Sequence, residues 1–220
     1  MIFTAPRYSF TVMSMREAAT AESRPYHHGD LRRALIDAAR RLLESEGPSA
    51  LSLRAVAREA GVSPAAPYHH FKDKSELLDA VASEGWQMLD AAMAKAKAQA
   101  ETRNKLNALG IAYVCFARDN PALYRVMYDA ARDKEALPED MQDSEDSAYC
   151  KVRNTMVELG ADPTATIDLE LATTAAWCAA HGLAEMAGFK QFEQLKAAVG
   201  GEIAFFRGVF NHIGLSPKPR

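Results

Sequence analysis

The stretch that most constrains this chain is residues 52–74, SLRAVAREAGVSPAAPYHHFKDK. It spells two short helical segments hinged at a glycine. Ser52 is placed to cap a first helix with Leu53, Val56, Ala57 and Ala60 on its buried side. Gly61 ends that helix in the backbone region where a missing Cβ matters most. Val62 fills the corner, Ser63 caps the second segment, Pro64 takes its first helical position, and Phe71 closes the element as an apolar anchor. This spacing predicts a helix-turn-helix. Left over at its surface are a hydroxyl, two imidazoles and two ammoniums, from Tyr68, His69, His70, Lys72 and Lys74. Those are groups that phosphates and base edges accept.

Pro67 departs from the pattern. As the fourth residue of the second helix it has no N–H for the Ser63 carbonyl, so an irregular start is expected there.

Residues 30–81 as a whole resemble the DNA-binding domain of the tetracycline-repressor (TetR) family. The likeness rests on a long first helix, G-x-x-x-L-S-L-R from Gly47, G-V-S from Gly61, Y-x-H-F from Tyr68 and K-x-K-x-E-L from Lys72. The resemblance implies an all-α protein, with an N-terminal three-helix head that reads duplex DNA and a C-terminal helical body for ligand binding and dimerisation. It implies phosphate contacts for Tyr68, His69 and Lys74, and backbone or base contacts for Ser52 and Arg54. Ser63, Ala65 and Ala66 would face the major groove, where small side chains favour thymine methyls over bidentate purine recognition. His70 has two open roles, DNA contact or packing against the first helix. Upstream, Arg24, His27 and His28 would form an arm on the DNA backbone, or else a solvated tail.

Charge is distributed to suit this division. The chain is −3 overall, but residues 24–74 carry nine basic against six acidic residues, while 75–220 carry fifteen against twenty-one. A 48% apolar content over 220 residues supports a core in each part. The expected organisation is a tail over 1–23, a head over 24–74, a body over 75–213 and a tail over 214–220. Met15 is an alternative start. Cys115, Cys150 and Cys178 are too scattered for a disulfide framework or a zinc site, which suits a cytoplasmic protein. No signal peptide or membrane span is expected, and no cofactor or metal.

Asp30 is expected to cap the first helix, with Leu31, Leu35, Ala38 and Leu42 on its buried side. Ser75–Glu76 is expected to open a long helix with Leu78, Val81, Gly85, Met88 and Ala92 buried, ending in an exposed Ala/Lys strut. Leu106, Leu109, Tyr113 and Phe116 stripe the next helix, and a short one follows through Leu123, Tyr124, Met127 and Tyr128. Residues 129–147, with eight acids against two bases, read as a solvated loop. Tyr149, Val152, Met156 and Leu159 mark another helix, ended by Gly160, and Asp162–Pro163 signals a restart. The last two stretches, about 163–188 and 191–213, carry apolar residues on more than one side, with a break at Gly200–Gly201. Ile203, Phe206, Phe210 and Ile213 form one stripe, beside Phe205 and Val209. That width is more than one packing face needs, and it predicts a homodimer.

The segment AAWCAAHGLAEM contains W-x-x-x-H-G, which resembles the C-terminal domain of one TetR subgroup. Trp177 and His181, one turn apart, join Tyr113, Phe116, Tyr124 and Met127 as candidates to line an apolar cavity for a small-molecule effector; ordinary core packing is the other reading. Cys178, His181 and Glu185 share a helical face, so a hydrolytic or metal site is conceivable beside simple packing. Three functions are thereby in play. The first is a repressor that binds a palindromic operator and leaves it when an effector binds. The second is a DNA-binding adaptor that senses nothing. The third is an enzyme centred on those three residues.

Overall fold

A computed structural model describes residues 28–132 and 147–213, and every regular element among them is helical. The arm residues Arg24 and His27, the acidic segment 133–146 and both tails lie outside the described residues.

Helix α1 (His28–Glu46) already includes Asp30 in its first turn, so Asp30 does not cap it. Its buried face carries Leu35, Ala38, Ala39, Leu42 and Leu43. A 3-10 turn, Pro48–Ala50, leads to α2 (Leu53–Glu59). The Ser52 hydroxyl accepts from the Ala55 N–H at 3.1 Å, the capping bond expected of it. Gly61, at φ 70°, lets the Gly61 N–H reach the Arg58 carbonyl and the Val62 N–H reach the Ala57 carbonyl. That pair of bonds is a Schellman stop, which a side chain at Gly61 would strain.

The second half of the motif departs from expectation. Ser63 and Pro64 open a turn rather than an α-helix, and the recognition element is a 3-10 helix, Ala66–His69. Pro67 is the reason. It has no N–H to return to Ser63, so the Ser63 carbonyl takes the Ala66 N–H at 3.0 Å, and Ala65 takes Tyr68 at 3.2 Å.

Helix α3 (Lys74–Gln99) begins one residue before the expected Ser75. Asp73 caps it, accepting from the Glu76 N–H at 3.0 Å, while the Glu76 carboxylate accepts from the Lys72 N–H at 2.6 Å. The D-x-x-E spacing is that of a capping box, with the returning bond made one residue earlier, at the Lys72 N–H. The buried stripe is Leu77, Val81, Gly85, Leu89 and Met93, with Ala82 and Trp86 beside it. Leu78, Met88 and Ala92, expected inside, are half-buried. α3 is covered on one side by α1 and on others by the body, which rotates the buried stripe from the one a single packing face would select. Its Ala/Lys end is tied down as well, since the Lys97 ammonium donates to Glu158 at 2.6 Å.

The body adds α4 (Lys105–Asp119), α5 (Pro121–Arg132), α6 (Ala148–Glu158), α7 (Thr166–Met186), α8 (Glu193–Ala198) and α9 (Glu202–His212). The α4 stripe of Leu106, Leu109, Tyr113 and Phe116 is buried throughout. Asp162–Pro163 does not start α7. Asp162 instead accepts from the Thr164 N–H at 2.8 Å in a local turn, and the helix opens at Thr166. Gly200 and Gly201, at φ 96° and 109°, separate α8 from α9. On α9 the expected stripe divides: Phe206 and Phe210 are fully buried, whereas Ile203 is 41% and Ile213 49% exposed. Burying each Phe side chain stabilises by about 1.5–3 kcal/mol, so the inward pair fixes the roll of the helix. Phe210 fits because Gly110 has no side chain; a Cβ there would lie 2.8 Å from the ring.

Among the described residues, no helix is long and apolar enough to cross a membrane.

Candidate functional site

Two places collect the side chains singled out by sequence. The first is the head surface. Ser63, Ala65, Tyr68 and His69 are exposed, with Tyr68 at 55%, while Pro67 and Phe71 are buried beneath them. Ala66 is half-buried. Ser52 and Arg54 are exposed at the start of α2, although the Ser52 hydroxyl is engaged as the cap. The Lys74 ammonium donates to the Pro48 carbonyl at 3.1 Å, which steers an exposed charge toward the loop between α1 and α2. His70 is different. It is half-buried, and its Nε2 is buried with no hydrogen-bond partner, so that nitrogen faces protein and not solvent. The Arg32 guanidinium lies 5.4 Å from the centre of the Phe71 ring, a cation–π contact joining α1 to the end of the recognition element.

The second place is an aromatic cluster inside the body. Tyr113 from α4, Tyr124 and Tyr128 from α5, and Trp177 and His181 from α7 meet there. The Tyr113 hydroxyl is 3.1 Å from that of Tyr124 and 3.1 Å from His181 Nδ1, and it is also hydrogen-bonded to Tyr128. Tyr124 reaches the same Nδ1 at 2.6 Å. With Nδ1 as acceptor, the three hydroxyl protons run one way, from Tyr128 to Tyr113 to Tyr124 to His181, and each has a receiver. Burial, which disfavours a phenolate, raises all three tyrosines above their ordinary range, with Tyr128 pushed up to about 12. Trp177 stands edge-on to Tyr113 at 5.1 Å and Trp86 of α3 edge-on to Tyr128 at 5.3 Å.

Of the six residues expected to line a cavity, Tyr113, Tyr124, Trp177 and His181 are in this cluster. Phe116 and Met127 are buried elsewhere in the same core, Met127 with its sulfur against Gly85. The enclosed space beside Tyr113 and Trp177 is about 20 Å³, walled by Met93, Leu106, Gly110, Val152, Ala176 and Ala180. Wider clefts open elsewhere on the surface. One of about 430 Å³ lies among Lys97, Lys105, Lys151 and Glu158, and one of about 270 Å³ between Pro48, Lys74 and Val126. Tyr128 and Trp86 were missed as cluster members. Tyr128 lies one turn from Tyr124, which was a readable signal; the approach of Trp86 from another helix had none.

The W-x-x-x-H-G segment thus has a local physical account: Trp177 and His181 both turn inward onto Tyr113, while a Cβ on Gly182 would meet nothing within 4 Å. Cys178 and Glu185 are exposed on the same helix, whereas His181 points its Nδ1 at tyrosines. Among the described residues no group of three His, Cys, Asp or Glu side chains is arranged to hold a metal ion.

Comparison with known proteins agrees with both parts of this architecture. Residues 35–81 match the family described as bacterial regulatory proteins, tetR family, and residues 106–206 match a tetracyclin repressor-like C-terminal domain. No curated protein matches the sequence. Among solved structures, a Rhodococcus protein of unknown function is 35% identical, with 84% of this chain and 98% of that one covered and a TM-score of 0.64. The TetR family transcriptional regulator PfmR from Thermus thermophilus shares the fold at 20% identity, TM-score 0.54, over 84% of this chain and 99% of that one. A TetR-family regulator from Streptomyces coelicolor does so at 20% identity, TM-score 0.56, over 83% and 99%. Matched in its head and in its body, the chain belongs to the tetR family of bacterial regulatory proteins and is a DNA-binding transcriptional regulator.

Proposed function

We propose that this regulator is a repressor, that it binds a palindromic operator as a homodimer, and that a small molecule taken up by its body releases it. The observation that carries the DNA part is the recognition element, whose Tyr68 and His69 stand exposed while Pro67 and Phe71 anchor it from below. The division is a head over 24–74 and a body over 75–213, and the DNA contacts are Ser52, Arg54, Ser63, Ala65, Ala66, Tyr68, His69 and Lys74, with His70 in a packing role. Pairing is supported by apolar side chains left outside on α7 and α9: Ile167 at 78%, Leu171 at 63%, Met186 at 44% and Ile203 at 41% exposed. Such a face is covered most simply by its own copy.

Effector binding involves the aromatic cluster, with Tyr113, Tyr124, Trp177 and His181 offering polar handles in an apolar wall, and Phe116 and Met127 behind them. The enclosed space is about 20 Å³, enough for about one water and for no effector. An effector therefore has to favour a more open body over this one, and it shifts the population only by its differential affinity. The small cavity also favours a second reading, a DNA-binding protein that senses nothing. Under either reading the protein works in the cytoplasm, where its DNA is, and carries out no catalysis.

The deciding experiment selects bound fragments from random duplex DNA and then screens compounds for release of the selected duplex. Enrichment of a palindrome, with a compound that both raises the melting temperature and weakens operator binding, is the expected result. A tight ligand that leaves operator affinity untouched refutes the release mechanism. Indifference to every duplex at low salt refutes the operator reading. A monomer by light scattering at working concentration refutes the homodimer.

A further inference from the structure

Glu84 is a carboxylate only 8% exposed, on α3 just beyond the segment 35–81 that matches the family head. Its Oε1 accepts from Arg33 Nη2 at 2.8 Å and from Arg40 Nη1 at 3.2 Å, both on α1. Arg33 and Arg40 are seven residues apart, so one oxygen bridges two turns of the neighbouring helix. Asp37 lies between them, 3.4 Å from Arg33 and 3.6 Å from Arg40, and steadies both guanidiniums. The other oxygen, Oε2, is buried without a partner, so the carboxylate has no alternative bond to fall back on.

The next two residues of α3 are held by the body. A Cβ on Gly85 would lie 2.6 Å from the sulfur of Met127 on α5, which measures how closely the two helices approach. Trp86 is edge-on to Tyr128 in the aromatic cluster. Successive helical residues point about 100° apart, so this single turn grips the head on one side and the body on the others. Apolar helix contacts tolerate a small slide. An oxygen shared by two guanidiniums does not, because movement breaks both bonds and leaves a buried charge uncompensated.

We infer that Glu84 is a positioning residue for DNA binding: its bridge to Arg33 and Arg40 sets the orientation of the DNA-reading head on α3. It touches no DNA itself. The inference rests on the two-half-site reading above, since orientation matters most where two heads must meet successive major grooves together.

The test uses the full chain as wild type, E84Q and R33A, with a single half-site duplex and palindromes whose central spacing is varied by one and two base pairs. E84Q is expected to bind the single half-site within about twofold of wild type, to lose about tenfold or more on the best-spaced palindrome, and to flatten the spacing profile. R33A shifts the profile the same way to a smaller extent, with the salt dependence unchanged. An unaltered spacing profile in E84Q overturns the inference. Equal losses on half-site and palindrome also overturn it, since they indicate a damaged head. So does an R33A variant whose only change is a salt slope flatter by about one per head, the mark of a lost phosphate contact. If wild type itself has no spacing preference, the two-half-site reading fails and the positioning role fails with it. Arg33 is 61% exposed, so R33A keeps the fold and decides the matter by the same criteria if E84Q does not fold.

Discussion

Replacing Pro67 with alanine probes the link between a missing N–H and operator affinity. The substitution restores a donor to the Ser63 carbonyl, which now accepts from Ala66. It also removes a residue that disfavours a helix interior by about 3 kcal/mol relative to alanine, against which stands the loss of the buried ring's contacts. The expected result is conversion of Ala66–His69 from a 3-10 to an α-helix. A 3-10 helix turns about 120° per residue and an α-helix about 100°, so three steps separate them by about 60°. At a side-chain radius of about 5–6 Å, His69 moves by about 5–6 Å, well beyond the length of a hydrogen bond. Loss of the contacts made by Tyr68 and His69, at about 1 kcal/mol each, lowers affinity by about thirtyfold per head, and by about a thousandfold where two heads share a palindrome. Neither group is a fixed cation, so the slope of log affinity against log salt should not change. Fluorescence anisotropy over a salt series, with far-UV circular dichroism to follow helix content, measures both quantities. A variant that gains helix and still binds within about twofold of wild type would refute the claim that this element's geometry sets operator affinity.

Three further outcomes are expected. Lys74→Ala should flatten the salt slope by about one per head, so by about two on a palindrome, while leaving sequence preference intact, which the same anisotropy series measures; an unchanged slope removes Lys74 from the phosphate contacts. His70→Ala should lower the melting temperature without altering operator affinity, because its Nε2 is turned into protein; unchanged melting with weakened binding would reverse that assignment. Stability should fall at alkaline pH. Tyr128 is pushed up to about 12 by burial, so from about pH 10 upward the unfolded chain has released a proton that the folded protein keeps. This contribution is whole below about pH 10 and is lost as pH rises through the folded value. Melting temperature and phenolate absorbance across that window test it, and a melting temperature flat up to about pH 12 would show that the cluster is not protected in this way.

What the sequence by itself determined were the features written in a few adjacent residues. Ser52 as a cap, Gly61 as a stop, the irregular start at Pro67 and the break at Gly200–Gly201 each depend on a local donor, acceptor or backbone angle, and local chemistry decides them in any surroundings. The α4 stripe was legible as well, because helices pack α4 on several sides and its apolar positions are buried whichever way it rolls. Tertiary structure decided the rest. Asp162–Pro163 has every mark of a helix start, yet the chain turns there first and α7 opens later. Ile203 and Phe206 lie one turn apart on α9, yet the phenylalanines go inward, Phe210 into the hollow at Gly110, while isoleucine stays out. Tyr113, Tyr128 and His181 come from three helices, and Glu84 meets Arg33 and Arg40 across another pair. Such encounters depend on how helices cross, and crossing angles arise from the summed packing of many side chains rather than from any short run of residues.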